Sequence, residues 1–456
     1  MMDMPETRWA RTIDGACIAY QDIGEGPATL VVIHGWVSHL EVYWEQPRYV
    51  RFIRRLSRNL RVLVFDKRGI GMSDRVNGTP DIGTLADDVR AIMDAASAEK
   101  AALLGWGSPG PELAAFFAAT HPDRSLCLVT FWAALHRRKE IDYPWGLSEQ
   151  EFEERCAAVL PSWGTEKGAR AFIREGYGGL EEPLSPPYNE PDFTAWNAKL
   201  ARFAATPASY EAFERMWYAT DVRPLLATIT VPTACLYSSL DSEEEQYVRS
   251  EANAIPTAEF IPVATTPEVI WVREPEPIVA AVERFIASVQ HEEAALDRRL
   301  ATVLFTDIVG STDKACEMGD ARWTAQLGKH NATVRAFLVR YRGHEVSTTG
   351  DGFLATFDGP ARAVRCAQGI CEAVKRLGLE VRAGCHTGEI ELLGADVGGI
   401  AVHIGARVGA LAGPSEVLVS STVKDLVAGS GLVFSDRGEH ELKGVPEPWH
   451  LYAVAS

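Results

Sequence analysis

Two separate series of short apolar runs, each alternating with helical stretches, constrain the fold of this chain most strongly. In the first series, Thr29–Ile33, Arg61–Phe65 and Ala101–Leu104 are compact apolar runs that are each followed by turn-forming residues. This alternation is typical of parallel strands that are joined by helices and buried on both faces of the sheet. The pattern therefore predicts an α/β fold for the N-terminal half of the chain.

The sequence changes character after this first series. Residues 136–225 are rich in Trp, Glu and Arg at helical spacing, which predicts a helical cap inserted into the sheet. A helix from Pro277 to Val289 closes the unit, and we interpret the charged segment 290–299 (QHEEAALDRR) as a linker. We therefore predict an N-terminal domain of residues 1–289 and a second domain of residues 300–456.

The second series, which follows the predicted linker, is again an α/β pattern. Its predicted strands are Ala301–Thr306, Glu345–Thr348, Phe353–Phe357, Val381–His386, Val417–Ser420 and two closing strands near Leu432–Ser435 and His450–Val454. Its predicted helices are Gly319–Tyr341, Gly359–Leu377 and Gly399–Ala412. This half is thus expected to form a core of its own.

Charge is distributed unevenly between the two halves. The whole chain of 456 residues carries 45 Lys and Arg against 62 Asp and Glu, a net charge of −17. Residues 298–456 contribute 17 basic and 18 acidic residues, so this half carries about −1 and the remainder −16. The acidic balance argues against nucleic acid and anionic membrane as partners, because both would require a basic face.

The sequence also predicts a compartment. Met1–Ala10 is polar and lacks the apolar core of a signal peptide, and the longest apolar run, Leu126–Leu135, is too short to span a bilayer. The 8 cysteines show no CxxC spacing, which is typical of reduced intracellular thiols. We therefore expect a cytoplasmic protein without a membrane anchor.

Three turn motifs follow the strands of the first series. They are His34-Gly35-Trp36, the segment Phe65–Asp74 (FDKRGIGMSD) and the segment Gly105–Pro111 (GWGSPGP). Together with the strand–turn–helix pattern, they resemble the α/β-hydrolase fold over residues 20–290. This resemblance implies a Ser–acid–His triad whose nucleophile lies on a strained Gly-x-Ser-x-Gly turn.

The nucleophile of such a triad has no sound position in this sequence. If Gly105 sets the register of the turn, the nucleophile position is Gly107, which has no side chain. If Ser108 is the nucleophile instead, Trp106 stands where the tight turn needs a small residue. Both registers stay open at this point, and neither predicts an active serine.

The other two triad positions differ from each other. Asp241 matches the acid, but no histidine occurs between His136 and His291, so the general base is missing. We therefore expect a non-catalytic hydrolase scaffold whose former pocket binds an unknown small molecule; residual esterase activity through Ser108 is the alternative. The tryptophans that could line this pocket are Trp36, Trp44, Trp106 and Trp132.

Two aspartates mark the second half. Asp307 stands at the end of a strand and precedes a turn, Val309–Thr312, whose backbone N–H groups can hold phosphates. Asp351 lies between Gly350 and Gly352, in a predicted tight turn between two strands. Two aspartates on adjacent strand ends can hold two Mg²⁺ ions against a triphosphate.

Five motifs of this half resemble the catalytic domain of class III nucleotidyl cyclases, over essentially all of residues 298–456. They are FTDIVGST (Phe305–Thr312), TTGDGFLATF (Thr348–Phe357), AGCHTGE (Ala383–Glu389), VHIGAR (Val402–Arg407) and LKG (Leu442–Gly444). The resemblance implies an α+β domain, and its pairing with a hydrolase-like domain is similar to an actinobacterial type of cyclase.

The resemblance also implies roles for single residues. Asp307 and Asp351, with the Ile308 carbonyl, match the ligands of two Mg²⁺ or Mn²⁺ ions. Arg407 matches the arginine that stabilises charge on the pentavalent phosphate. The residues matched to the nucleotide are Asp396 for the purine, Lys443 for the triphosphate tail, and Val309, Gly310, Ser311 and Thr312 for the phosphate-binding turn.

Two positions depart from the family pattern. Ser347 stands where the family has an adenine-reading lysine, and His403 stands where it has an asparagine four residues before the arginine. Serine forms hydrogen bonds but is shorter than lysine and uncharged. The choice between ATP and GTP is therefore open, and so is the turnover rate.

The resemblance implies in-line attack of the ribose 3′-hydroxyl on the α-phosphate, at sites that two chains of a homodimer share. We accordingly expect an adenylate cyclase that makes 3′,5′-cyclic AMP and pyrophosphate from ATP. The alternative from another class is a nucleotide-binding regulatory protein in which Ser347 and His403 have reduced or abolished catalysis.

Overall fold

The computed structural model describes residues 4–35, 37–75, 78–131, 133–176, 186–265, 269–296, 298–393 and 396–455. The chain divides into two compact units, Met1–Gln290 and His291–Ser456, and each contains its own sheet. Among the helices of the described ranges, none combines the length and the hydropathy that a membrane span requires.

The first unit is built on a mixed sheet. Its strands are β1 Arg8–Arg11, β2 Cys17–Ile23, β3 Thr29–Ile33, β4 Arg61–Phe65, β5 Ala101–Trp106, β6 Ser125–Phe131, β7 Thr233–Ser238 and β8 Ala258–Val263. The order across the sheet is β1-β2-β4-β3-β5-β6-β7-β8. The neighbours from β4 to β8 pair in parallel, whereas β1 and β2 pair antiparallel at one edge.

The helices of this unit connect the parallel strands. They are α1 Leu40–Tyr43, α2 Pro47–Leu56, α3 Ile82–Ala95, α4 Gly110–Thr120, α5 Glu149–Val159, α6 Glu166–Gly176, α7 Pro191–Ala204, α8 Pro207–Ala219, α9 Arg223–Leu226, α10 Ser242–Ala254 and α11 Glu276–Leu296. Helices α5 to α9 lie between β6 and β7 in the chain, in the part of the sequence where a helical cap is predicted.

The centre of this sheet is buried on both faces. Every residue of β5, β6 and β7 is buried. Because successive residues of a strand point to opposite faces, such continuous burial requires packing on each side of the sheet. The predicted parallel sheet is therefore confirmed, and its carboxyl edge carries the loops where a site can form.

The second unit also forms one sheet. Its strands are β9 Arg298–Ile308, β10 His344–Thr348, β11 Phe353–Phe357, β12 Val381–Leu393, β13 Asp396–Gly398, β14 Val417–Ser420, β15 Phe434–His440 and β16 Trp449–Val454. Its helices are α12 Ser311–Met318, α13 Asp320–Tyr341, α14 Pro360–Lys375, α15 Ile400–Leu411 and α16 Ser421–Leu426. The strand order is β10-β11-β9-β12-β14-β16-β15, and β13 pairs with β12.

A long antiparallel ladder between β9 and β12 organises this unit. It runs from the pair Val381–Ile308 to the pair Glu391–Arg298, so β12 extends well beyond the predicted end at His386. The charged end of the ladder is held by Arg298, whose guanidinium donates to Glu391 at 2.6 Å. An apolar pattern cannot predict this extension, because a cross-strand ion pair replaces the apolar contact there.

The predicted linker, residues 290–299, falls largely within regular structure. Helix α11 continues to Leu296, seven residues beyond the predicted end at Val289, and β9 begins at Arg298. Of residues 290–299, those up to Leu296 belong to α11 and those from Arg298 onward belong to β9. Only residue 297 of this segment lies outside the described ranges.

Candidate active site

The metal-binding aspartate predicted at the end of β9 lies beside the turn that carries the second one. In the β9–β11 ladder Thr306 is paired with Phe353, which places Gly352 against the residues that follow Thr306. A Cβ atom built on Gly352 would lie 3.2 Å from the Thr306 carbonyl oxygen and 3.7 Å from Asp307 Oδ1. The turn that contains Asp351 therefore packs directly against Asp307.

Glycine is needed in this turn for its backbone conformation. Gly350, next to Asp351, has a φ of +90°, which side-chain-bearing residues rarely adopt. The turn is closed by Thr349, whose N–H donates to the Gly352 carbonyl at 3.1 Å. The sequence Thr-Gly-Asp-Gly thus folds into the tight turn that its glycines predict.

Asp307 is held by an arginine that the sequence analysis did not single out. Arg382 on β12 is the cross-strand partner of Asp307, and its guanidinium donates to Asp307 Oδ2 from Nη2 at 2.5 Å and from Nε at 3.0 Å. The two side chains are 35% and 39% exposed, so solvent screens their attraction. The only sequence signal was an arginine within the apolar run Val381–Cys385.

A cavity of 230 Å³ opens at this point of the sheet. Of the predicted site residues, Asp307 and Ser347 line it, and Arg382 lies on its wall. Its other lining residues are Phe305, Thr306, Thr349, Gly352, Phe353, Leu354, Ala406, Gly409 and Ala410. The cavity therefore brings together β9, β10, β11, β12 and one face of α15.

The predicted phosphate-binding turn is only partly free to bind. The Val309 N–H donates to the Glu380 carbonyl at 2.9 Å, so this donor already serves the fold. Gly310 has a φ of +66°, and α12 begins immediately afterwards at Ser311. Gly310, Ser311 and Thr312 therefore stand at a helix N-terminus, where the first N–H groups lack intrahelical partners.

Four predicted residues lie away from the cavity of their own chain. His403 and Arg407 are both exposed and stand one helical turn apart on α15. Asp396 on β13 and Lys443 after Leu442 are exposed as well. None of the four lines the cavity of Asp307 and Ser347. The lining of the cavity that holds Asp307 thus includes Ala406 and Ala410 of α15 but not Arg407.

The donor atoms around Asp307 fit a hard divalent cation. Carboxylates at positions 307 and 351 and the backbone carbonyl of Ile308 are all oxygen ligands, which Mg²⁺ and Mn²⁺ prefer. The Ile308 side chain is buried, so only its backbone is available. The Thr306 hydroxyl is also buried and has no hydrogen-bond partner among the described residues.

The turn after β5 in the first unit adopts the sharp geometry of a hydrolase nucleophile turn. Gly107 has a φ of +57°, so it occupies the strained position. A Cβ atom on Gly105 would lie 2.6 Å from the Gly110 carbonyl oxygen, which leaves room only for glycine there. The structure therefore favours the register in which the nucleophile position is Gly107.

Ser108 and Asp241, the other two triad candidates, both make local hydrogen bonds. Ser108 is half-buried, and its hydroxyl donates to Glu112 Oε1 at 2.5 Å rather than to a histidine. Asp241, the predicted acid, caps α10 by accepting from the N–H groups of Glu243 and Glu244 at 2.8 and 3.1 Å. The segment expected to supply the base includes residues 266–268, which lie outside the described residues.

The predicted pocket-lining tryptophans are only partly described. Trp106 is buried, and the Trp44 indole N–H donates to Gln21 Oε1 at 2.7 Å. Trp36 and Trp132 lie outside the described residues. His34, which sits between β3 and these loops, is fully buried; burial and the nearby charge of Lys67 lower its pKa to about 3, so it is neutral.

Restoring a serine at the turn is expected to cost stability without producing activity. Gly107→Ser places a side chain at a left-handed φ, which costs about 1–2 kcal/mol. The sequence has no histidine between His136 and His291 that could activate the hydroxyl as a general base. Urea unfolding should show the loss, and release of p-nitrophenol from p-nitrophenyl acetate should match that of the wild type. Faster, saturable release by Gly107→Ser would contradict the absence of a base.

The two halves match two known families. The sequence model described as "alpha/beta hydrolase fold" matches residues 28–242, and that described as "Adenylate and Guanylate cyclase catalytic domain" matches residues 296–456. "Putative adenylate cyclase 3" of Rhizobium meliloti (strain 1021) is 28% identical over 167 residues, which are 35% of this chain and 28% of that protein. The chain therefore spans less than a third of this cyclase relative.

One curated relative and one solved structure align with the first half over nearly their whole length. "AB hydrolase superfamily protein YisY" of Bacillus subtilis (strain 168) is 25% identical over 283 residues, 61% of this chain and 98% of that protein. The solved structure of an esterase from Exiguobacterium antarcticum aligns over its full length with 62% of this chain. The TM-score is 0.52 and the sequence identity is 18%. This structural likeness shows the fold alone.

The predicted combination of folds is thus confirmed from both the sheet topology and the family matches. The chain carries a domain of the α/β-hydrolase fold family over residues 28–242, followed by a class III adenylate and guanylate cyclase catalytic domain over residues 296–456.

Proposed function

We propose that this protein is an adenylate cyclase that converts ATP into 3′,5′-cyclic AMP and pyrophosphate. One observation carries the proposal: the turn of Asp351 packs against Asp307 beside a cavity, in a domain that matches the cyclase catalytic family. The similarity to a protein named as an adenylate cyclase supports ATP as the substrate.

The site works between two copies of the chain. Arg407 and His403 are exposed on α15 and do not line the cavity of their own chain. A guanidinium must fork onto phosphate oxygens to stabilise the developing charge, so it has to reach the nucleotide directly. A two-fold homodimer satisfies this need, because it places each Arg407 at the partner's aspartates and creates two equivalent sites.

The residues of this chain bind and orient the nucleotide. Asp307, Asp351 and the Ile308 carbonyl would hold two Mg²⁺ or Mn²⁺ ions. When bound, these ions neutralise phosphate charge and acidify the 3′-hydroxyl. Gly310, Ser311 and Thr312 offer N–H donors to the phosphates, and Lys443 offers a charged one. Arg407 stabilises the charge on the α-phosphate, His403 forms a hydrogen bond to ribose or phosphate, and Asp396 contacts the purine.

Ser347 contributes little to the discrimination between adenine and guanine. This exposed residue lines the cavity, and its hydroxyl can donate or accept one hydrogen bond. Because a hydroxyl accepts as readily as it donates, it tolerates either the amino group of adenine or the carbonyl of guanine. We therefore expect ATP to be preferred over GTP by less than about tenfold, a difference of under 1.4 kcal/mol.

The test is a cyclase assay of the full-length protein with ATP and GTP in parallel, in Mn²⁺ and in Mg²⁺, with the cyclic products separated by chromatography. Cyclic AMP as the main product supports the proposal. If cyclic GMP forms from GTP at a higher rate, GTP is the preferred substrate. The absence of a cyclic product with either nucleotide would overturn the proposed activity.

The second candidate, a nucleotide-binding regulatory protein, is favoured by the Arg382–Asp307 ion pair. Its guanidinium occupies one oxygen of a metal-binding carboxylate. A chain that kept this pair in the presence of nucleotide would bind ATP without turning it over. Saturable ATP binding by calorimetry, combined with no cyclic product in either metal, would identify this case.

Removing Arg382 is expected to strengthen metal binding. A positive charge beside Asp307 opposes a divalent cation, so Arg382→Gln should bind Mn²⁺ roughly three- to tenfold more tightly at low ionic strength. The concentration of free Mn²⁺ can be measured by electron paramagnetic resonance during a titration of the full-length protein. Arg362→Gln, which removes an exposed guanidinium paired with Asp358, is the matched control. Weaker binding by Arg382→Gln would mean that this arginine supports the site instead.

We also propose that the first unit is non-catalytic and binds a small molecule. The nucleophile position is a glycine, and the acid position caps a helix. If Ser108 were a nucleophile despite this, wild-type protein would release p-nitrophenol from a short acyl ester and Ser108→Ala would not.

A further inference from the structure

Arginines are concentrated in one groove on the surface of the first unit. The groove has a volume of about 590 Å³ and lies between α2 and residues 274–276, where α11 begins. Its arginines are Arg48, Arg51, Arg54, Arg55 and Arg58. Residues 105–111, which form the hydrolase-like turn, do not line it. We call this surface the arginine groove.

Most of these arginines form a row along one face of α2. Arg51 and Arg58 are seven residues apart, and Arg54 and Arg55 lie between them at the spacing of one helix face. The row continues past the end of the helix, because Ser57 keeps a helical backbone with φ −72° and ψ −1°. At the helical rise, it extends for about 10 Å.

Two of the arginines are held in place by acidic residues of other segments. Arg55 donates to Glu276 at 2.9 Å and to Glu283 at 2.7 Å, both on α11. Arg48 Nη2 donates to both carboxylate oxygens of Glu190 at 3.2 Å. These ion pairs fix the walls of the groove before any ligand arrives, which reduces the ordering that binding would require.

Two other arginines lack an acidic partner. The exposed Arg51 donates to a backbone carbonyl, that of Arg273, at 3.4 Å. Neither Arg51 nor Arg58, which is also exposed, forms an ion pair within the described residues. With five arginines against two glutamates, the lining carries a charge of +3, whereas residues 1–297 together carry −16. A positive groove therefore lies on a strongly acidic part of the chain.

Helix electrostatics alone do not explain this cluster. The helix dipole favours basic residues in the last turn, where Arg54 and Arg55 stand. The same dipole disfavours a cation at the N-terminus, yet Arg48 is the second residue of α2. Like charges four residues apart, such as Arg51 and Arg55, also repel each other. An anion bound along the row would relieve this repulsion.

We propose that the arginine groove binds a linear polyphosphate chain, either inorganic or part of a nucleotide. Guanidinium groups fork onto phosphate oxygens, and at least three negative charges are needed to offset the lining. A row of about 10 Å suits an extended chain better than a compact anion. The volume of about 590 Å³ lies within the range of small-molecule sites. This site is separate from the proposed cyclase site and does not depend on cyclase activity.

The test is a calorimetric titration of the full-length protein with tripolyphosphate, orthophosphate or citrate at low ionic strength. EDTA is present, so that metal ions at Asp307 and Asp351 do not contribute. We expect tripolyphosphate to bind saturably, and at least about tenfold more tightly than the two compact anions, because only the chain reaches both Arg51 and Arg58. Equal affinity for citrate, or no saturable binding of tripolyphosphate, would overturn the proposal.

A double variant assigns the binding to the groove. Arg51→Gln/Arg58→Gln should bind tripolyphosphate at least about tenfold more weakly than the wild type. The control, Arg11→Gln/Arg249→Gln, removes two exposed arginines of the same unit that do not line the groove, and so has the same net charge. It should bind as the wild type does. An equal loss of affinity in both double variants would show general electrostatic attraction and would overturn the assigned site.

ATP, titrated in the same buffer, distinguishes the two sources of the chain. Tighter binding of ATP than of tripolyphosphate, lost in Arg51→Gln/Arg58→Gln, assigns the groove to a nucleotide; the reverse order assigns it to inorganic polyphosphate. Thermal unfolding without ligand shows whether each variant is folded. Cyclic AMP formation is assayed on the same preparations with Mn²⁺: activity without tripolyphosphate binding would contradict only this inference, and binding without activity would contradict only the proposed enzyme.

Discussion

Replacing Asp307 by alanine is expected to lower the rate of cyclic AMP formation by at least about 100-fold. The change removes a carboxylate from a site whose substrate is a polyanion, in a half of the chain whose net charge is close to zero. Without a general positive field, the phosphate charge has to be neutralised locally, and metal ligands supply most of that neutralisation. The measurement is the initial rate with saturating ATP and Mn²⁺.

Two further variants separate chemistry from folding. Asp307→Asn keeps the shape of the side chain and should be nearly as inactive, because the amide is a poor metal ligand. Asp313→Ala removes an exposed carboxylate from the first turn of α12, six residues away, and should keep wild-type activity. The Asp307–Arg382 pair is partly exposed, so its loss should change stability by less than about 1 kcal/mol. A wild-type rate for Asp307→Ala would contradict the proposed metal site.

Those elements that depend on local pattern are predictable from sequence. The strands Thr29–Ile33, Arg61–Phe65 and Phe353–Phe357 were predicted with the bounds that the structure gives them. Each is a short, mostly apolar run bounded by turn-forming residues, so burial and local conformation favour the same assignment. In the charged half of β12, the local sequence lacks the apolar pattern of a strand. The end of this strand depends on its pairing with β9 and therefore could not be predicted from the local sequence.

In the candidate site too, residues that belong to a local motif were predicted, whereas residues that depend on a distant partner were missed. Motifs identified Asp307 and Ser347, which line one cavity, because each belongs to a run with a recognisable turn. Arg382 was missed because its significance lies in its pairing with Asp307 across the ladder, 75 residues apart in the chain. The commitment of the Val309 N–H to Glu380 was missed for the same reason: it depends on a contact between distant segments.

The exposure of Arg407 on α15, outside the lining of the Asp307 cavity, leads to the second prediction. If each site combines the aspartates of one chain with Arg407 of the other, Asp307→Ala and Arg407→Ala homodimers are both inactive, but for different reasons. In a heterodimer of the two variants, one site carries both changes and the other carries neither. Such a heterodimer should therefore recover about half of the wild-type rate per dimer.

The heterodimer can be isolated by co-expression of the two variants with different affinity tags and purification over both columns in turn. A differently tagged pair of wild-type chains, purified identically, sets the full rate, and each variant homodimer sets the background. Arg407→Lys, paired with Asp307→Ala, should recover the same half, because the intact site again takes its arginine from the Asp307→Ala chain. The Arg407→Lys homodimer should be nearly inactive, because lysine cannot fork onto two phosphate oxygens. A heterodimer as inactive as its parents would mean that both residues act within one chain. The shared site would also be contradicted if the two tags failed to co-purify.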